Sequence, residues 1–334
     1  MLRFILFNCL WLAILTGIIS CNEKKVKIGL LFPLINERTQ IQINCFTSKI
    51  NELKGETIIS SAELDDQRQI EQAKEMLAKN VDVLVVSSVN LYTAAAIVRE
   101  AHKHSVPVIA FDRLIRNCNL DYYISFDYEK VGTFIAQYAV NLKPQGNYIM
   151  INGDITDHNA RGINKGELRV LGPFITSGKI KIIYTTFIED WSEMQAKFEM
   201  TKYLDLSSGD VPDAILSSSD QMSAGIMDVL DEYHLLGKVL LTGMDAKLKN
   251  CKSIIKGYQS MTVYKPFKKL AFESAELAMT IASNKKIEKM TTTMWNGEKN
   301  VISVLFEPVL VDNTNIKTTV IADGIYHEKD IYEK

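Results

Sequence analysis

Histidine, cysteine and tryptophan are all scarce in this 334-residue chain, at 5, 5 and 3 copies. The histidines are scattered, and His102 and His104, two apart on a helical stretch, point to different faces. No H-E-x-x-H, G-x-S-x-G, Walker loop or G-x-G-x-x-G is present, so the usual hydrolytic, phosphoryl-transfer and dinucleotide machinery is excluded. Asp220 and Asp245 could be imagined as paired glycosidase carboxylates, but nothing accompanies them, and the chain reads as a non-enzyme without a cofactor. Cysteine is too sparse for a disulfide scaffold or a metal site. Cys9 and Cys21 sit in the N-terminal segment; Cys45, Cys118 and Cys251 are widely spaced, with no C-x-x-C. At most one disulfide is open to those three. Excess charge of either sign is also missing: 38 Lys and Arg against 40 Asp and Glu leave a net charge of −2. That balance argues against a general binder of nucleic acid or anionic membranes.

The N-terminal segment holds an unbroken apolar run. Met1-Leu-Arg-Phe-Ile-Leu-Phe carries one positive charge, and apolar residues continue to about Ile19 before Ser20-Cys21 and the polar Asn22-Glu-Lys-Lys. A secretory signal has this layout; an uncleaved anchor helix is the alternative. Ile18-Ile-Ser-Cys21 also resembles the bacterial lipobox. That resemblance implies a lipoprotein signal peptide over 1–20, a lipid on Cys21, and a folded part in the periplasm or at the cell surface, tethered to the membrane.

From Val26 onward, short apolar runs alternate with amphipathic stretches. Val26–Phe32, Thr57–Ser60, Val81–Val86, Val106–Phe111 and Tyr122–Phe126 read as strands, with helices over about 38–54, from Asp66, and over about 91–104. A second series follows, with strands at Asn147–Ile151, Lys179–Thr185, Ala214–Leu216 and Val239–Thr242 and helices between them. Near-continuous apolar strands separated by helices mean right-handed βαβ units and parallel sheets buried on both faces. The fold class is therefore α/β, with two doubly wound lobes. A long helix over Pro266–Ser283 and short strands at Val301–Phe306 and Pro308–Val311 predict a tail that returns to the first lobe. Repeated crossings at one edge make a multi-strand hinge.

In such sheets ligands bind beyond the carboxyl ends of the strands. Val106-Pro-Val-Ile-Ala-Phe-Asp-Arg113 stops abruptly and delivers Asp112 and Arg113 together, an acceptor and a rigid fork of donors suited to a small polyol. A salt bridge between the two is the alternative. Asp220 and Asp245 follow apolar runs in the same way, though each also reads as a helix N-cap. Trp191 offers a flat face to sugar C–H groups or packs between lobes. Lys265, at the predicted crossing, suits hydroxyls or an inter-lobe salt bridge. Asn159 donates and accepts toward hydroxyls, or caps the next helix.

These segments together resemble the type I periplasmic sugar-binding proteins, and more narrowly the D-xylose-binding proteins of bacterial ABC transporters. The resemblance runs from about Val26 to Tyr326 and is carried by Asp112-Arg-Leu-Ile115, Asp121-Tyr-Tyr-Ile-Ser-Phe-Asp-Tyr-Glu-Lys-Val-Gly132, Pro144-Gln-Gly-Asn-Tyr148, Ser177-Gly-Lys-Ile-Lys181 and Met261-Thr-Val-Tyr-Lys-Pro266. It implies a sugar pocket between a lobe of residues 21–127 plus 265–308 and a lobe of residues 128–264 plus 309–334. The residues it points to are Arg38, Asp112, Arg113, Asn159, Trp191, Asp220, Asp245 and Lys265. It further implies capture of D-xylose or a similar small monosaccharide by hinge closure, and delivery to an ABC permease. A sugar sensor that signals through a membrane histidine kinase is the alternative. The first βα loop departs from the family pattern: in Asn36-Glu-Arg-Thr-Gln-Ile-Gln-Ile-Asn44, Thr39 stands where a second stacking aromatic is expected. Ser219 replaces the usual Asn before Asp220, and His158 stands where Asn is common. Losing one stacking face implies about 1–3 kcal/mol less binding free energy.

Overall fold

The computed structural model describes residues 25–207, 210–287 and 292–333; the expected signal segment and Cys21 lie outside the described residues. Among the described residues no helix is long and apolar enough to cross a membrane. The first series runs β1 (Lys27–Phe32), α1 (Glu37–Glu52), β2 (Glu56–Ser61), α2 (Asp66–Ala78), β3 (Val83–Val86), α3 (Ala95–Lys103), β4 (Val108–Phe111) and β5 (Tyr122–Phe126). The second runs α4 (Tyr128–Leu142), β6 (Gly146–Asn152), α5 (His158–Thr176), β7 (Ile180–Phe187), α6 (Glu193–Leu206), β8 (Ala214–Ser217), α7 (Asp220–Glu232), β9 (Leu240–Leu241) and α8 (Leu248–Ile255). The chain ends with β10 (Thr262–Tyr264), α9 (Phe267–Ala282), β11 (Thr292–Trp295), β12 (Asn300–Phe306), β13 (Val309–Val311) and α10 (Glu328–Tyr332).

Two lobes result. Seven strands in the order β11-β12-β5-β4-β3-β1-β2 form one sheet, parallel except for the β11–β12 hairpin. Four parallel strands in the order β7-β6-β8-β9 form the other. Both sheets are covered on two faces. Alternate residues of the first, such as Leu30, Val85 and Phe111, pack under Phe46 and Ile50 of α1 and Leu270 of α9. Their neighbours Leu31, Leu84 and Val108 pack under Met76 of α2 and Ile97 of α3. The side-chain period of two in a strand produces this division. It explains why Val83–Val86 is apolar throughout and buried at every position. Each such side chain contributes about 1.5–3 kcal/mol.

The chain passes between the lobes at 126–128, 264–267 and 306–309, where β10 and β13 form an antiparallel ribbon. The Asp127 amide donates to the Phe306 carbonyl at 2.9 Å and ties two of these passages together. Helices α4 and α5 of the second lobe approach through glycine. A Cβ on Gly132 would lie 1.9 Å from the Ile163 carbonyl oxygen, and one on Gly166 2.0 Å from that of Glu129.

Candidate functional site

Between the lobes, where the strand ends of both sheets face each other, lies a cleft of about 330 Å³, at the small end of ligand cavities. Seven of the eight positions expected from sequence line it: Arg38, Asp112, Arg113, Asn159, Trp191, Asp245 and Lys265. Several are delivered by an abrupt change of backbone. Asp112 (φ 65°), Asp190 (φ 51°), Trp191 (φ 56°) and Asp245 (φ 102°) are all left-handed without being glycine. Strain of this kind, of order 1–3 kcal/mol per residue, is held where the surrounding structure over-determines it, and it clusters at binding sites.

Asp112 and Arg113 do not pair with each other, which sets aside the local salt bridge. The Asp112 carboxylate accepts from the Tyr128 hydroxyl at 2.8 Å and from Ser125 Oγ at 3.2 Å. Its backbone carbonyl accepts from Ser125 Oγ at 2.9 Å and Tyr123 OH at 3.1 Å. Arg113 spends one guanidinium nitrogen on the Ser88 and Val89 carbonyls, at 3.0 and 2.9 Å, and sets the other 3.9 Å from Asp157 across the cleft.

A continuous polar chain links the two walls. Arg38 Nη1 donates to Asp245 Oδ1 at 2.9 Å, and Lys265 Nζ meets the same oxygen at 3.1 Å. Lys265 also donates to the Tyr128 hydroxyl at 3.0 Å, which in turn donates to Asp112. Burial alone would raise the Asp245 carboxyl, but Lys265 and Arg38 outweigh it and hold the group well below the ordinary carboxylate range. Burial and Asp112 push the Tyr128 phenol well above its usual range, so it stays a neutral hydroxyl. Lys265 thus fills the inter-lobe ion-pair role while its donors remain at the cleft.

Asn159 does not cap its helix. Asp157 does, accepting from the Asn159 amide at 2.9 Å. The Asn159 side chain is buried on the cleft, with its Nδ2 a marginal 3.5 Å from the Asp112 carbonyl and its Oδ1 without a partner among the described residues. Trp191 lies across Gly153: a Cβ there would stand 2.3 Å from the indole ring. Its Nε1 reaches Asp157 Oδ2 at 3.4 Å, which fixes the ring at the cleft wall.

Asp220 is the expectation the geometry corrects. It is fully buried and absent from the cleft lining. Its carboxylate is turned inward by three donors: the Lys247 amide at 2.8 Å, Gln259 Nε2 at 2.9 Å and Thr262 Oγ1 at 2.9 Å. Burial pushes its pKa up to about 7, against the opposing pull of those donors. Neither Asp220 nor Asp245 is a helix cap; Ser219 caps α7 and Lys247 precedes α8. Asp220 instead braces the loop that carries Asp245, since Thr262 Oγ1 also accepts from the Ala246 amide at 3.2 Å.

The sequence reading missed Tyr128, Asp154, Asp157, Asp190, Ser219, Gln221 and Met244, which also line the cleft. Asp154 and Asp157 follow β6 by the strand-end rule that found Asp112, and Tyr128 follows β5. Thr39, the departure in the first loop, is absent from the lining. Its hydroxyl is occupied in a capping box, accepting from the Asn36 amide at 2.7 Å and facing the Leu34 carbonyl at 3.0 Å. Arg38 beside it stacks on Phe267, 5.1 Å from the ring centre.

Comparison with known proteins agrees with this architecture. Residues 29–286 match the family model described as periplasmic binding protein domain. The chain is 40% identical over 314 residues to the D-xylose-binding periplasmic protein of Haemophilus influenzae, covering 94% of each chain. It is 36% identical, with the same coverage, to the protein of that description from Escherichia coli. Among solved structures, an ABC transporter solute-binding protein from Clostridium phytofermentans with bound β-D-glucose superposes with a TM-score of 0.81 at 27% identity, over 91% of this chain and 99% of that one.

Proposed function

The chain belongs to the periplasmic binding protein domain family, and on that premise we propose that it captures a monosaccharide, D-xylose or a similar small sugar, by closing its lobes around it. The buried, unpartnered Asn159 Oδ1 on the cleft wall carries this reading. A buried acceptor left unmet costs about 1–3 kcal/mol, and a sugar hydroxyl donated to it removes that cost. Asp112 and Asp245 accept further hydroxyls, Arg113 and Lys265 donate to ring or hydroxyl oxygens, and Trp191 covers one apolar face of the sugar. Groups from both lobes engage the same small molecule, so binding favours the closed arrangement by the free energy of those contacts. The names of the two D-xylose-binding relatives support a pentose. The glucose complex keeps hexoses among the candidates.

Delivery to a permease follows the same relatives, and the lipid anchor rests on the lipobox-like Ile18-Ile-Ser-Cys21. Crossings at 126–128, 264–267 and 306–309 support a first lobe of 21–127 plus 265–308 and a second of 128–264 plus 309–334. The mature chain carries a lipid on Cys21, sits outside the cytoplasm and hands its sugar to an ABC permease. It binds without transforming its ligand. Isothermal titration with D-xylose, D-ribose, D-glucose and D-galactose tests the central claim: saturable heat with at least one is expected, and none with any overturns it. A lipid-modified Cys21 in the mass spectrum of the mature protein is expected, and intact peptides from 1–20 would remove the anchor. Neighbouring genes for a permease and ATPase accord with delivery; a kinase and regulator in their place would turn the role to sensing.

A further inference from the structure

A second cavity, of about 320 Å³, lies on another side of the hinge from the sugar cleft. Its floor is apolar, made by Phe126 of β5, Met294 of β11 and Leu305 of β12, all from the first lobe. Its other side comes from the second lobe, with His158, Arg161 and Lys165 along one side of α5. Tyr128 is shared by both cavities.

Two cations, Arg161 and Lys165, and two carboxylates, Asp127 and Glu129, line this cavity, but the carboxylates are committed to other partners. Asp127 caps α4 through the Lys130 amide at 2.9 Å, and Glu129 accepts Lys165 at 2.8 Å and Arg169 at 2.5 Å. Among the described residues the Arg161 guanidinium makes no hydrogen bond or ion pair. Burial and then the nearby Arg161 disfavour the charge on Arg116. One Arg116 nitrogen donates to the Trp295 carbonyl at 3.2 Å, while its buried Nε has no partner. His158 records the same field: burial, then Arg116 and Arg161, lower its pKa to about 4, so it is neutral at physiological pH and can accept or donate a hydrogen bond.

We propose that this cavity is a binding site for a small amphipathic organic anion, with the apolar body on Phe126, Met294 and Leu305 and the charged head against Arg161. An anion supplies the partner that the Arg161 guanidinium lacks, and its planar fork of donors matches phosphate or carboxylate oxygens. The apolar floor requires a carbon body and disfavours a bare inorganic ion.

Phenyl phosphate is the first probe, with inorganic phosphate and phenol as its separated halves, titrated calorimetrically into the purified full chain. Saturable binding of phenyl phosphate, at least ten-fold tighter than either half, is expected. In Arg161→Glu, an exposed position outside the cleft, its dissociation constant rises at least ten-fold while sugar titration is unchanged. Absence of saturable heat, equal binding of inorganic phosphate, or an undiminished affinity in Arg161→Glu each overturns the proposal. Sugar is titrated in a separate cell, so failure at the cleft and failure at this cavity are read independently.

Discussion

Replacing Asp245 by Asn removes a carboxylate that Arg38 and Lys265 share. Arg38 and Lys265 both meet its Oδ1, at 2.9 and 3.1 Å. Lys265 is 5% exposed and Arg38 32% exposed at the side chain, so the two halves of the cluster weigh differently. Truncating a buried ion pair costs about 3–5 kcal/mol because a charge is left unmatched, whereas a well-solvated pair contributes about 0–1 kcal/mol. The Arg38 half belongs nearer the second limit. The Asn carbonyl still accepts one donor, and the Tyr128 hydroxyl still accepts from Lys265 at 3.0 Å. We therefore expect a loss of about 2–3 kcal/mol, read as a lower urea midpoint with an unchanged slope. The pH dependence is a second check. The native Asp245 carboxyl is held below its unfolded value, so its stabilisation is complete above about pH 4 and is lost as the pH falls toward the native value. The gap between native protein and variant should be constant from pH 5 to 8 and narrow below pH 4. Sugar affinity should fall at least ten-fold, since Arg38 and Lys265 lose their common anchor. A variant within 0.5 kcal/mol of the native protein at pH 7, or a gap that widens on acidification, refutes the reasoning.

Asp220 behaves in the opposite sense. Its native pKa of about 7 lies above the unfolded 3.8, so the native state binds the extra proton and stability falls as pH rises between those values. At 1.36 kcal/mol per unit the fall is at most about 4 kcal/mol; Asp220→Asn should flatten that slope, as urea titrations at pH 5 and pH 8 will register. Gly153→Ala drives a methyl group into the Trp191 ring, 2.3 Å away. It should weaken sugar binding five- to hundred-fold by calorimetry, in step with Trp191→Ala. Gly132→Ala places a Cβ 1.9 Å from a backbone oxygen that cannot swing aside, and thermal unfolding should show a loss of about 1–3 kcal/mol or more. An unshifted midpoint there would mean that α4 and α5 can separate without penalty.

The alternation of strands and helices was legible because both sheets are covered on two faces, so strands such as Val83–Val86 carry no polar interruption. The strand-end rule likewise placed Asp112, Arg113 and Asp245. Pattern failed where tertiary contacts decide. The β11 strand, with its exposed Trp295, pairs only at a sheet edge and carries little periodic signal. Asp154 and Asp157 sit in a loop whose course is set by Trp191 and Asp190, residues more than thirty positions away, through the 3.0 Å bond from the Asp190 amide. Asp220 satisfied the rule by position and failed it by orientation. Nothing in Ser218-Ser-Asp220 announces that Gln259 and Thr262 will come from a distant turn and strand to turn its carboxylate inward.

Asp220 and Asp245 show why neither position nor burial alone identifies a ligand-binding carboxylate. Both follow strands of one sheet and both are largely withdrawn from water. Asp220 meets three neutral donors that hold it against the loop, and burial raises its pKa to about 7. Asp245 meets two cations on a single oxygen, Oδ1, which keeps it ionised, and the residue lines the cleft. A carboxylate accepts about four hydrogen bonds, so a sugar hydroxyl can join Asp245 without displacing Arg38 or Lys265. Asp220 is fully buried and off the cleft lining, out of reach of such a hydroxyl. The first aspartate therefore stabilises the loop, and the second, carried on that loop, lines the cleft.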